Sequence, residues 1–156
     1  MRSILVCVLL IATVRLFGQV SVFPNERMFF GEMLFNIEDG ILNEGNSRFR
    51  MDAVLTIAND KIFKGYSTST FDLLYTVRNG KLYPADSRFS LDVLYTFKDG
   101  VIYQGDSTFA LDALYTLHQG GVYKGNSHII FDRLFMISGT PSVPEVFALL
   151  MALDLL

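Results

Sequence analysis

The chain has 156 residues, a formal net charge of −3 at pH 7 and no tryptophan. This length predicts one domain, and the slight acidic excess excludes the basic surface of a nucleic-acid-binding protein. With 51% hydrophobic and 19% charged residues, the composition also excludes intrinsic disorder.

Residues 1–18 have the pattern of a secretory leader. Arg2 precedes an apolar run from Ile4 to Val14 that is too short to span a bilayer, and Gly18 is a small residue at a plausible cleavage point. We therefore expect residues 1–18 to be a signal peptide. The same pattern predicts a secreted or periplasmic bacterial protein and no transmembrane segment.

The single cysteine, Cys7, lies inside this leader. After cleavage, the mature chain would have no disulfide, no thiolate ligand for a metal and no cysteine nucleophile. Export without disulfides suits a bacterial protein better than a small eukaryotic extracellular domain.

A repeat of 20 residues occupies the chain from residue 20 to residue 139. The clearest copies are 88–107 and 108–127, and the same frame holds six units without insertion or deletion. The repeat region begins with the back half of a copy and ends with a front half. Because two such halves can pair, we favour a closed, propeller-like ring over an open solenoid with degenerate ends.

Each unit has the chemistry of a β-hairpin. Two short runs rich in β-branched and aromatic residues, such as 93–97 and 101–103, flank Asp99-Gly100. Such dipeptides tolerate the positive φ angles of a primed two-residue turn. A second turn follows at Gly105-Asp106-Ser107. The region is therefore predicted to be all-β.

Three apolar positions recur in all six units, and we expect all three to be buried because stacked repeats share a continuous core. The first set is Leu34, Val54, Leu74, Leu94, Leu114 and Leu134; the second is Ile37, Ile57, Val77, Phe97, Leu117 and Ile137; the third is Val22, Leu42, Ile62, Leu82, Ile102 and Val122.

Aromatic residues form two further sets, one around Tyr95 and one that includes Tyr83, Tyr103 and Tyr123. The favoured interpretation is packing between neighbouring hairpins, with each phenol oxygen at a polar rim. The alternative is a ligand-binding surface on which Tyr83, Tyr103 and Tyr123 stack against sugar rings. The lack of tryptophan weakens this alternative.

An acidic residue also recurs once per unit, just before a strand. The favoured interpretation is a local brace, in which the side-chain oxygen accepts hydrogen bonds from nearby backbone N–H groups. The alternative is a ring of carboxylates that attracts a hard cation such as calcium. The set is Glu32, Asp52, Asp72, Asp92, Asp112 and Asp132.

Catalytic signals are missing from the repeat. The only histidines, His118 and His128, stand where other copies have unrelated residues, which predicts surface positions. No spacing of serine, histidine and acid suggests a triad, and an enzyme would usually break the repeat symmetry at one place. We expect no catalytic residues, no metal site and no cofactor.

Residues 140–156 differ from the repeat. Ser142 and Glu145 have the spacing of a capping box, Pro144 suits a first helical turn, and the segment from Val146 to Leu156 is apolar apart from Asp154. The segment is therefore predicted to be a short buried helix that plugs the ring or packs beneath it. A partner or membrane contact is the alternative.

The units LDVLYTFKDGVIYQGDS and LDALYTLHQGGVYKGNS, which follow a bacterial-type leader, resemble those of the bacterial five-fold beta-flower proteins. The resemblance covers residues 20–139. It implies short hairpins arranged like petals around an axis, and it implies no catalytic residue. The six units counted here depart from a five-fold arrangement.

The sequence therefore predicts an exported, non-catalytic protein with a hairpin-repeat domain at 20–139 and a capping helix at 140–156. Its expected function is that of a structural or protein-interaction module of the bacterial envelope or exterior. The alternative is a module that binds a glycan or a cation. The expected partner is a protein or a glycan of unknown identity, and not nucleic acid.

Overall fold

A computed structural model describes residues 18–24 and 32–156, so the predicted leader falls outside the described residues apart from Gly18. Within these residues the chain forms twelve strands and one α-helix. They are β1 Val20–Pro24, β2 Phe35–Glu38, β3 Ile41–Glu44, β4 Ala53–Ala58, β5 Lys61–Lys64, β6 Leu73–Arg78, β7 Lys81–Pro84, β8 Tyr95–Lys98, β9 Val101–Gln104, β10 Ala113–His118, β11 Gly121–Lys124, β12 Arg133–Ser138 and α1 Val143–Ala152.

The strands form one closed antiparallel barrel in which each strand pairs with its neighbours in sequence. Closure is made by β1, which pairs with β2 on one side and with β12 on the other. In the closing pair Val22 lies opposite Ile137, so the sixth hairpin is assembled from both ends of the repeat region. The prediction of a closed ring of six units is confirmed, and closure leaves no exposed sheet edge.

The hairpin turns have the predicted backbone. Asp99 and Gly100 have φ angles of 51° and 80°, which is the pair of positive values that a type I′ turn needs. A Cβ added at Gly100 would lie 2.9 Å from the carbonyl oxygen of Leu117 in the next hairpin. The Leu117 N–H donates to the Gly100 carbonyl at 2.7 Å, so each turn also joins one hairpin to the next.

The connections between strands alternate between the two ends of the barrel. The two-residue turns, such as 99–100, lie at one end, which we call the hairpin end. The connections from one hairpin to the next lie at the other end, and five of those in the described chain contain a 3₁₀ turn. These turns are Arg50–Asp52, Thr70–Asp72, Ser90–Asp92, Ala110–Asp112 and Ile130–Asp132.

The core fills the inside of the barrel, and α1 lies within it. Residues 146–150 are five consecutive buried positions, and Phe147 has no exposed surface. They belong to one apolar cluster to which every strand contributes a buried or partly buried side chain. A helix buried on all sides needs such an enclosure, so the prediction of a short buried helix is confirmed.

The surroundings of its two ends define the direction of α1. Its first turn has the predicted capping box, in which the Ser142 N–H donates to Glu145 Oε2 at 2.6 Å. Ser142 and Pro144 line a cavity together with hairpin-end residues such as Asn79. After its last turn, the carbonyl of Leu155 accepts a hydrogen bond from the Tyr115 hydroxyl at 3.0 Å. The helix therefore runs from the hairpin end into the barrel.

The first apolar set is only partly buried, which corrects the prediction that all of its members lie in the core. Leu74 packs against the core cluster, but two members are exposed. Leu42 pairs with Leu55 and Asn43 with Ala53, so Val54 is the extra residue of a β-bulge. The bulge turns this side chain away from the interior, and Val54 is 37% exposed. Leu94, at the equivalent position, is also exposed. Members of the third set, in contrast, have no exposed surface.

Candidate interaction surface

In the described chain, exposed apolar side chains cluster on the five connections between hairpins, at the end of the barrel opposite the hairpin turns. Leu91 and Leu111 are 96% and 99% exposed, although leucine is a residue that folding normally buries. We call this surface the crown. Its members in the described chain are Phe49, Met51, Phe71, Phe89, Leu91, Phe109, Leu111, Ile129, Ile130 and Phe131.

The crown positions follow from the repeat. Leu91 is the middle residue of the 3₁₀ turn Ser90–Asp92, and Leu111 has the same place in Ala110–Asp112. Phe89 and Phe109 precede these turns in extended backbone. We call the middle residue of each 3₁₀ turn its apex residue. Because equivalent residues of a ring lie at equal heights along its axis, the apex residues of the five described turns share one level and form an apolar rim.

Each crown turn is held by a serine and an aspartate. The Ser107 hydroxyl donates to Asp112 Oδ2 at 2.5 Å, and Ser107 Oγ accepts the N–H of Phe109 at 3.1 Å. The same arrangement occurs at Asp52, Asp72, Asp92 and Asp132. The brace exists at these positions, but its direct donor is a serine hydroxyl instead of the predicted backbone N–H.

The carboxylates do not assemble into a cation site. In residues 18–24 and 32–156, no group of three acidic, histidine or cysteine side chains is close enough to hold a metal ion. The aspartate oxygens bonded to serine are committed to their own turns. The arrangement supports a scaffold role for the acidic set.

A model of the 6-fold beta flower protein family matches residues 22–150, which is most of the chain. The chain belongs to the 6-fold beta flower family. Comparison with curated proteins and with solved structures gives no match. The match explains the count of six hairpins, which the resemblance to five-fold beta-flower proteins left unexplained. Beta flowers are not a known enzyme family.

The three tyrosines of the glycan hypothesis lie on the outer face of the beta flower. Tyr83 pairs with Thr76, and the guanidinium carbon of Arg78 lies 4.9 Å from its ring centroid. Tyr103 is half-buried, and Tyr123 is buried. They lie on β7, β9 and β11, each separated from the next by an intervening strand. The arrangement presents separate, partly covered rings and not one continuous stacking platform.

The two histidines are exposed, as expected, and they lie beside each other. Their ring centroids are 4.5 Å apart with an interplanar angle of 47°, and the Tyr123 ring meets His128 edge-on at 6.4 Å. No acid within the described residues completes a triad or a metal set around them.

A cavity of about 230 Å³ lies at the hairpin end of the beta flower. Its apolar base is formed by Phe97, Leu117 and Ile137, together with Val146 of α1, and His118 lines it as well. The cavity lies between the start of α1 and the hairpin turns, and the polar side chains of Gln119 and Thr140 also line it.

Sequence reasoning missed the crown. Phe109 and Leu111 alternate with Ala110 in a way that resembles a strand with one apolar face, and the two residues directly precede Asp112. The signal that could have identified the crown is the position of these residues within the repeat. These apolar residues lie between the Gly-Asp-Ser turn and the strand, where a chain that reverses direction is normally polar.

The described part of the chain contains no helix long and apolar enough to cross a membrane.

Proposed function

We propose that this beta flower is an exported, non-catalytic module of the bacterial envelope or exterior, and that it binds another protein through the crown. The observation that carries the proposal is the exposure of the apex side chains of the five described turns. Each is between 92% and 99% exposed, and they are Met51, Phe71, Leu91, Leu111 and Phe131. Exposed apolar patches of this kind mark interaction sites in folded proteins.

The chemistry of the other repeated groups supports this assignment. The aspartates of the described turns accept hydrogen bonds from serines. Thr76, on the outer face, donates its hydroxyl to the carbonyl of Ala85 at 2.6 Å, and Thr96 does the same toward Gly105. These polar side chains stabilise turns. The apolar crown side chains have no such role, and a binding partner would supply one.

Export rests on the sequence of residues 1–18. The barrel begins at β1, and Gly139, which follows β12, lies beside Gln19 at the hairpin end. Cleavage after Gly18 would therefore free the protein at the end opposite the crown. A chain expressed with its own leader in a bacterium should be recovered from the periplasm or medium with an N-terminus near Gln19. Recovery from the cytoplasm with Met1 intact would contradict export.

The binding role can be tested by photo-crosslinking in the cells that produce the protein. A photoreactive amino acid at position 91 should give adducts with protein, because this side chain points into solvent at the crown. The matched control is the same amino acid at position 119, which is exposed at the hairpin end. If position 91 gives no more protein adducts than position 119, the crown is not a protein-binding surface.

A further inference from the structure

We propose that the crown binds the crown of a second copy of this chain, so that two beta flowers join face to face. This inference rests on the proposed function, and it identifies the protein that the crown binds as a second copy of the chain. Four properties of the described surface carry it: the apolar area, the shape of the rim, the charges around it and the chemistry of the opposite end.

The apolar area is sufficient for a stable dimer. Five crown residues are phenylalanines, each 74% to 98% exposed. At roughly 150 Å² or more for each aromatic side chain, they present on the order of 600 Å². The five aliphatic members add a comparable area. A specific interface needs about 800 Å² on each partner, so one crown against another meets this requirement.

The shape of the rim suits interdigitation. Apex residues such as Leu91 and Leu111 are almost fully exposed, so their side chains are free to contact a partner on all sides. A second crown, rotated by half a repeat, can place its own apex side chains between them. Such a contact is isologous, since the same surface serves both partners, and it closes after two copies.

The charges around the rim are compatible with a two-fold axis. The exposed cation Arg50 belongs to a crown turn, as do the exposed acids Asp52 and Asp112. A second copy can therefore set unlike charges against each other at the edge of the interface, where they guide orientation.

A bilayer is a poorer occupant than a second copy. Every described apex residue directly precedes an aspartate, as Leu91 precedes Asp92. Insertion into hydrocarbon would bring these carboxylates toward it, which is costly. The chain also has a net charge of −3, which gives no general attraction to anionic lipid.

In the described chain, the hairpin end does not offer an apolar surface that the crown could bind. The first residues of the described hairpin turns are all polar and exposed, among them Asp39, Asn79 and Asp99. Head-to-tail stacking would cover apolar side chains with these groups and leave the polar groups without water. Two rings, and not a filament, are therefore the expected assembly.

The test is sedimentation equilibrium, at about 1 to 100 μM, of the chain as it is recovered after export. We expect a species with twice the mass of one such chain. The variant Leu91→Asp/Leu111→Asp should raise the dissociation constant by about 100-fold or more, because it places charges at the centre of an apolar contact. Its matched control, Asn59→Asp/Gln119→Asp, adds the same charge to the hairpin end and should leave the dimer unchanged.

Three results would overturn the inference: a monomer at 100 μM, a dimer that survives both crown aspartates, or assemblies larger than two copies. Unchanged melting temperatures and circular dichroism of the crown variant would show that the loss is not unfolding. Flotation of the monomer with zwitterionic phosphatidylcholine vesicles would assign the crown to lipid and overturn the proposed protein-binding role as well. Photo-crosslinks from position 91 to a different protein alone would overturn self-pairing and leave that role intact.

Discussion

The hydroxyl of Ser67 donates a hydrogen bond of 2.5 Å to Asp72 Oδ2, and Ser67 Oγ accepts the N–H of Ser69 at 3.1 Å. One serine thus connects the start of the turn with its end, five residues later. The pair holds Phe71 at the crown, where the ring is 98% exposed and the described part of the chain leaves it almost without packing. The brace therefore stabilises the backbone of a surface that lies outside the core.

Removal of one carboxylate tests the brace. Asp72→Ala should lower the free energy of unfolding by about 1–2 kcal/mol, because it deletes a charge-assisted hydrogen bond that is only partly buried. Chemical denaturation measures the change. The control is Glu44→Ala, which removes an exposed carboxylate at the same end of the barrel and should change stability by less than about 0.5 kcal/mol. Equal effects would mean that Asp72 acts through net charge alone.

The helix inside the barrel should contribute strongly to stability. Phe147→Ala should cost about 3–5 kcal/mol, since it leaves a cavity around a fully buried ring. Met151→Ala on the same helix, at a partly buried position, should cost less than half as much. Thermal and denaturant unfolding of the two variants gives the ranking. A small decrease in unfolding free energy for Phe147→Ala would show that the stability of the barrel does not depend on the packing of α1.

Two glycines with similar φ angles should respond differently to alanine. Gly80 and Gly105 have φ of 75° and 62°. Alanine at either position should therefore lower the free energy of unfolding by about 1–2 kcal/mol, because a Cβ disfavours a left-handed backbone. At Gly80 the new Cβ would also lie 2.6 Å from the carbonyl oxygen of Phe97, whereas the nearest atom to Gly105 is 4.0 Å away. Gly80→Ala should therefore be the more destabilising by denaturant unfolding. Equal losses would show that the next hairpin moves aside freely.

The ion pair of Lys81 gives a pH dependence at high pH only. Its hydrogen bond to Asp106, at 2.5 Å, raises the pKa of the ammonium above 10.5. A raised folded-state pKa means that the stabilisation is complete below pH 10.5 and is lost as pH rises through the folded-state value.

The measurement is the difference in unfolding free energy between the wild type and Lys81→Met from pH 8 to pH 12. The difference should stay constant up to about pH 10 and fall above it. In an Asp106→Asn background this fall should be smaller and begin at lower pH. A fall between pH 8 and 9 in the wild type would contradict the assigned ion pair.

The glycan and calcium hypotheses can be separated from the interaction role by thermal shift. We expect no change in melting temperature with calcium or with a glycan panel, because the carboxylates are bonded within their turns and Tyr123 is buried. The same titration on Tyr103→Ala supplies the comparison. A stabilisation of several degrees by a glycan that Tyr103→Ala abolishes would restore the tyrosine surface as a binding site.

Much of the architecture is readable from the sequence because the repeat is regular. Asp99-Gly100 and its equivalents predict the turns, the third apolar set predicts the inward side chains, and the split hairpin predicts closure. Ser142 and Glu145 predict the start of α1. Each of these signals acts through neighbouring residues, or through the two-residue alternation of a strand.

The sequence alone was misleading where strand alternation is interrupted. Val54 and Leu94 recur as regularly as Leu42 and Ile62, but both are exposed, and at Val54 a bulge turns the side chain outward. A bulge depends on which residue of the next hairpin pairs across it, and periodicity carries no information about that partner.

By itself the sequence determined the hairpins, their number and the plug, since these follow from turn chemistry and apolar spacing along the chain. Only the tertiary structure decided which apolar residues are inside. Leu42 and Ile62 point into the barrel and pack around α1, whereas Leu91, Leu111 and the other crown residues belong to the connections between hairpins and remain in solvent although they are as apolar as the core.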